Sequence, residues 1–128
     1  MCSVNIRTGV VTSACAGHPP MIVLRKSGEV GLIKPRGMVI LDAYESEYEE
    51  ISIRLDHGDI LVLYTDGVVE ARMPDGQMIG NDGFIAMLKR NAGLSAEELC
   101  SRIYDEIFSE DNMEGIEDDF ALLVAEYV

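Results

Sequence analysis

The sequence predicts an α+β fold, an antiparallel sheet with helices packed on it, and three observations carry that expectation. Short apolar or β-branched segments separated by turn residues fill the first half of the chain. Apolar residues at helical spacing, Leu99, Ile103 and Ile107, follow in the second half. A closing apolar run, Phe120 to Ala125, reads as a further strand.

Val10 to Ala16, Met21 to Leu24 and Val30 to Ile33 are strand-like. They are separated by Gly17-His18-Pro19-Pro20 and Lys26-Ser27-Gly28-Glu29, both of turn composition, so a meander of antiparallel hairpins is expected. After an acidic loop at Glu45 to Glu50, Ile51, Ile53 and Leu55 alternate with Ser52 and Arg54, the period of a half-buried strand. Asp56-His57-Gly58-Asp59 turns the chain into Ile60 to Tyr64, which is apolar on both faces and therefore expected to be a central strand. Pro74-Asp75-Gly76 is a turn, and Gly80 to Gly83 leads into a short helix at Phe84 to Arg90. Ser95-Ala96-Glu97-Glu98 matches a capping box and predicts a helix from Ala96 to Phe108. Ser109 to Asp119 is polar and acidic, and Phe120 to Ala125 is expected to be buried on both faces.

With 128 residues, 48% of them hydrophobic, residues 1–128 have the size of one domain with its own core, and no repeat or linker divides them. Ten Lys+Arg against 23 Asp+Glu leave a net charge of −13, which repels nucleic acid and anionic lipid and attracts cations. Cys2, Cys15 and Cys100 are odd in number and make no C-x-x-C spacing, so neither a disulfide framework nor a structural zinc site is expected. A reducing, cytoplasmic location fits that usage. No apolar run approaches the roughly 20 residues of a membrane span, and membrane insertion is not expected.

The chemistry concentrates where two apolar strands meet acids. Ile60 to Tyr64 runs into Thr65-Asp66-Gly67, and Phe120 to Ala125 begins just after Asp118-Asp119. If the two strands pair antiparallel, Asp66 and the Asp118-Asp119 pair share one edge. Close carboxylates repel unless a cation lies between them, and oxygen ligands alone suit Mg²⁺ or Mn²⁺. The same residues also fit a plain reading, in which Asp66-Gly67 is a turn, the paired acids solvate a strand start, and His18 is a turn residue.

The segments "AGHPPMIVL", "GDILVLYTDGVVEA", "DGQMIG", "SAEEL" and "EDDFALLV", in that order, resemble the later part of the metal-dependent, PPM-type serine/threonine phosphatases, in the branch of stage II sporulation protein E and the bacterial stress-response phosphatases. The resemblance covers nearly the whole chain. It implies a β-sandwich of two antiparallel sheets flanked by helices, with a binuclear Mn²⁺ or Mg²⁺ centre at one end. It implies a phosphorylated regulatory protein as substrate, such as an anti-sigma-factor antagonist. By the same resemblance Asp66 and Asp118 match metal-ligand positions, while Asp119 and Gly67 neighbour them and His18 orients its loop. The reaction implied is attack of a metal-bound water on phosphorus, without a protein nucleophile.

Three positions depart from the family pattern: Cys15 where asparagine is usual, His57 where proline is usual, and Ala121 where threonine is usual. The family's first metal ligands lie on an earlier aspartate-glycine motif, which this chain does not contain. The chain is therefore expected to be the later portion of an N-terminally incomplete phosphatase domain, inactive by itself. The alternative is a non-catalytic regulatory or protein-binding module derived from such a domain. An incomplete sandwich would leave the strand faces of Ile60 to Tyr64 and Phe120 to Ala125 partly uncovered, so a homodimer or strand-exchanged oligomer is expected.

Overall fold

The structure is a computed structural model that describes residues 1–37, 48–73, 75–108 and 119–128. Asp118, the whole polar segment before it from Ser109, Pro74 and the first part of the acidic loop at 45–50 lie outside the described residues.

One sheet has the order β1-β2-β5, formed by β1 (Cys2–Asn5), β2 (Val10–Ala14) and β5 (Glu50–Arg54). Both pairings are antiparallel, with Cys2 opposite Ser13 and Val11 opposite Ile53. β1 has no apolar alternation to announce it. It forms because the Asn5 side chain accepts hydrogen bonds from the backbone N–H groups of Arg7 and Thr8, turning the chain back along β2. The second sheet has the order β4-β3-β6-β7, from β3 (Met21–Leu24), β4 (Val30–Ile33), β6 (Ile60–Tyr64) and β7 (Leu122–Glu126), again antiparallel throughout.

The expected meander holds only in part. β3 and β4 make a hairpin, with Met21 opposite Ile33, but β2 and β3 belong to different sheets. Burial explains the difference. All four residues of β3 are buried, so that strand needs a layer on each face, whereas β2 buries only Val11 and Ser13 and serves as part of such a layer.

Val11, Met21, Val23, Ile33, Leu55 and Leu61 fill the space between the sheets, making the expected sandwich. The other face of the second sheet presents Ile22, Leu24, Ile60, Val62 and Tyr64 to α1 (Asp66–Glu70), α2 (Gly80–Arg90) and α3 (Ala96–Ile107). α3 begins with the capping box its sequence predicts: the Ser95 hydroxyl accepts from Glu98 N–H at 3.3 Å, and the Glu98 carboxylate accepts from Ser95 N–H at 3.0 Å. A cap of this kind contributes about 1 kcal/mol. Leu99, Ile103 and Ile107 lie on its buried face. α2 starts at Gly80, a turn before the expected Phe84, because Ile79 is buried and its N–H is held by the Ala71 carbonyl at 3.0 Å.

β6 is covered on both sides, with Ile60, Leu61, Val62 and Tyr64 each at most 4% exposed, so its faces are not left open as the incomplete sandwich would require. β7 differs from expectation in the other direction. Leu122 and Val124 pack on the helical side, but Leu123 is 55% exposed and Ala125 is exposed. β7 is an edge strand of a four-stranded sheet lying against a three-stranded one, so its second face extends past the cover.

Asp59 ties the layers together at one end. Its buried carboxylate accepts from Asp56 N–H at 2.8 Å, Lys26 N–H at 3.0 Å and Arg25 Nη1 at 2.6 Å, and Arg25 Nη1 also donates to the Arg54 carbonyl at 2.8 Å. The β3–β4 and β5–β6 turns are thereby joined. At the same end the His57 ring stacks on Tyr127 with centroids 5.1 Å apart, which gives this unusual position a packing role.

Candidate functional site

Antiparallel pairing sorts the strand ends. β2, β4 and β6 finish, and β1, β3, β5 and β7 begin, at the end of the sandwich opposite Asp59. That end therefore collects His18 before β3, Lys34 to Gly37 after β4, Glu49 before β5, Asp66 after β6 and Asp119 before β7.

The β6–β7 junction realises the shared edge. Tyr64 lies opposite Leu122, and one residue further Thr65 N–H donates to the Ala121 carbonyl at 3.0 Å. The Thr65 hydroxyl then donates to the Asp119 carbonyl at 2.7 Å and accepts from Ala121 N–H at 2.9 Å. One hydroxyl thus clamps the chain just after the paired acids to the residue just before Asp66. Sequence reasoning missed Thr65; its signal is a hydroxyl residue between the end of a buried strand and an aspartate. Ala121 contributes only backbone groups to this clamp, which is why the lack of a side-chain hydroxyl there leaves it intact.

Asp66 does not sit in a bare turn. It opens α1, exposed, while Gly67 and Val68 behind it are buried. Asp119 is also exposed. Asp118, the other expected ligand, lies outside the described residues. Tyr64, one residue before the clamp, is buried; its hydroxyl donates to Asn81 Oδ1 at 3.4 Å, and burial raises its pKa above the ordinary value.

His18 reaches this end on the β2–β3 crossing. Its Nδ1 lies 3.1 Å from the Pro19 carbonyl, and the Cys15 thiol donates to the His18 carbonyl at 3.2 Å, so the turn is held by its own residues. Gly17 has φ of +77°, a left-handed conformation that favours glycine. Gly37 is required for a different reason: a Cβ there would run into the Cys15 carbonyl oxygen. Beside it Arg36 N–H donates to Glu49 Oε2 at 2.8 Å and Glu49 N–H donates to the Arg36 carbonyl at 2.9 Å. A cavity of about 400 Å³ opens here between the sheets, lined by Cys2, Ser13, Cys15, His18 and Leu63 among others.

The donor chemistry of the β6–β7 edge is carboxylate oxygen, which suits a hard divalent cation. Among the described residues no group of three or more His, Cys, Asp or Glu side chains could hold a metal ion. Asp66 offers one exposed carboxylate and Asp118 lies outside the described residues, so the described residues do not by themselves make up an oxygen-donor shell. No helix among the described residues is long and apolar enough to cross a membrane.

Relatives place these features in context. The chain is 29% identical over 114 residues to the phosphoserine phosphatase RsbU of Bacillus subtilis, covering 88% of this chain and 33% of RsbU. It superposes on the SiaA-PP2C domain of Pseudomonas aeruginosa with a TM-score of 0.76 at 22% identity, over 95% of this chain and 48% of that one. A manganese-presoaked phosphatase domain of the cell fate determinant SpoIIE from Bacillus subtilis gives a TM-score of 0.68 at 20% identity, over 98% of this chain and 54% of that one. The fold is thus that of PP2C phosphatase structures, and the chain spans about a third of the curated relative's length. The family described as stage II sporulation protein E (SpoIIE) matches residues 1–128, and the chain belongs to that family.

Proposed function

We propose that this chain supplies the later portion of a PPM-type serine/threonine phosphatase domain, which in the intact protein removes phosphate from a regulatory phosphoprotein such as an anti-sigma-factor antagonist. The observation that carries this reading is the Thr65 clamp, which brings Asp66 and the start of β7 to one end of a PP2C-like sandwich. The similarity to RsbU, named a phosphoserine phosphatase, supports the reaction class.

In this reading Asp66 and Asp118 are metal ligands for Mn²⁺ or Mg²⁺, Asp119 and Gly67 shape their surroundings, and His18 holds the neighbouring loop. When bound, the cation supplies charge that offsets the phosphoryl oxygens. Thr65 fixes the spacing of the two strand ends. Carboxylates from outside these residues would complete the shell, so the chain by itself is expected to turn over no phosphate ester. The protein acts in the cytoplasm in this reading. The exposed face of β7, and its edge that is unpaired among the described residues, would be covered by a second copy of the chain, as a dimer or a strand-exchanged oligomer.

Calorimetric titration with Mn²⁺ tests the site. The wild type is expected to bind weakly, and Asp66→Asn or Asp118→Asn to abolish binding. Equal binding by all three would assign the ions to the general acidic surface and favour a non-catalytic module. Light scattering on a sizing column tests the assembly: a clean monomer, with a melt independent of concentration, removes the dimer.

A further inference from the structure

We propose that Lys34 and Arg36 read the protein substrate, receiving an acidic side chain that lies about three residues from its phosphorylated serine or threonine. The inference rests on the phosphatase reading and specifies which substrates that site takes.

The chain carries a net charge of −13, so an anionic phosphoprotein approaches against its overall field and depends on local cations for a productive encounter. Most strand-end cations lie at the wrong end. Arg7 sits in the β1–β2 turn, Arg25 and Lys26 follow β3, and Arg54 ends β5, all at the Asp59 end. Arg25 is also engaged by Asp59, and Arg90, on α2, by Glu106. Lys34 and Arg36 leave β4 at the end where Asp66 leaves β6.

Their presentation is fixed by the backbone. Ile33 and Pro35 are buried while Lys34 and Arg36 are exposed, so burial alternates along the segment that follows β4 and both cations face solvent. Glu49 holds Arg36 through both its N–H and its carbonyl, and Gly37 is pressed against the Cys15 backbone. The Glu49 carboxylate is used on the Arg36 amide. Among the described residues neither the Lys34 ammonium nor the Arg36 guanidinium enters an ion pair. Two exposed cations on a braced segment lose little freedom when they meet an anion.

The sheet sets the spacing. In the order β4-β3-β6, the exit of β4 lies two strand spacings from the exit of β6, about 10 Å. An extended peptide advances about 3.3 Å per residue, so this gap corresponds to about three residues. A phosphorylated residue at the Asp66 edge then carries a neighbouring carboxylate to Lys34 and Arg36.

Fluorescence anisotropy with labelled phosphoserine peptides, in the presence of Mn²⁺, tests the proposal. Peptides carry Asp or Asn at the stated spacing on each side, each with and without the phosphate. The wild type is expected to prefer the Asp peptides about threefold. The double variant K34Q/R36Q should lose that preference and keep any preference for phosphate. R7Q/K26Q removes the same charge at the opposite end and should keep both. An Asp preference that is absent, that survives K34Q/R36Q, or that falls equally in R7Q/K26Q overturns the inference. An Asp preference that depends on Lys34 and Arg36 supports the acid-reading role whether or not phosphate adds to it, and the phosphatase reading is tested separately by the Mn²⁺ titration of Asp66→Asn.

Discussion

At one end of the sandwich Asp59 is 2% exposed and accepts three hydrogen bonds; at the other, Asp66 and Asp119 stand exposed around a threonine clamp. The residue type is the same, and the surroundings differ in burial. A buried carboxylate survives only when fixed donors replace water, and Asp59 has two backbone N–H groups and a guanidinium. Burial raises its pKa, but the hydrogen bonds from Asp56, Arg25 and Lys26 outweigh that and hold it below the ordinary value. Asp59 is consumed by the fold. Asp66 keeps its carboxylate at the surface, where solvent reaches it. The comparison separates an acid buried in the scaffold from acids exposed at the strand ends.

The largest expected effect falls on the structural end. Asp59→Ala should destabilise the chain by about 3 kcal/mol, because it leaves two backbone donors and Arg25 without their acceptor. Urea denaturation measures this, and a loss under about 1 kcal/mol would show that water replaces the carboxylate at little cost. The same group sets an acid dependence. A folded pKa below the unfolded one means that its contribution is complete above about pH 4 and drains away as pH falls through the folded value. Asp59→Asn should therefore be less stable than the wild type at neutral pH and should lose less stability on acidification. Parallel curves would remove Asp59 from the acid response.

A smaller effect is expected at the clamp. Thr65→Val keeps the shape and removes two hydrogen bonds, at a cost of about 1–2 kcal/mol. Faster hydrogen exchange at the Ala121 amide should accompany the loss, and unchanged exchange there would show that the hydroxyl does not hold the junction. Asp66→Asn should be the mildest, within about 0.5 kcal/mol of the wild type, since its side chain is exposed. A large destabilisation by Asp66→Asn would move it into the structural class and blur the contrast between the ends.

Local pattern made several features legible. The capping box at Ser95 and Glu98 and the Leu99, Ile103, Ile107 stripe needed only neighbouring residues, and α3 follows them. Five continuous apolar residues made β6 a central strand, which its burial bears out. The antiparallel meeting of β6 and β7, on which the shared edge depends, is conditional in the sequence and is met by the register Tyr64 to Leu122. Thr65 was not legible as a clamp, because both its partners lie more than 50 positions away in the chain.

The sequence by itself determined the elements whose cause is local: the capped helix, the short strands, the turns at Gly17 and Gly58, and an acid at the end of a buried strand. Tertiary structure decided which sheet each strand joined. β2 and β3, adjacent in the chain, part because β3 requires a layer on both faces, and β7 becomes a half-exposed edge because only three strands cover four. It also decided the fate of each carboxylate. Asp59 and Asp66 both stand in Asp/Gly-rich turns of the sequence, and only the donors brought from the turn after β3 make one of them a buried anchor. Burial and long-range hydrogen bonding depend on partners that local sequence does not contain, and they set the division between scaffold and site.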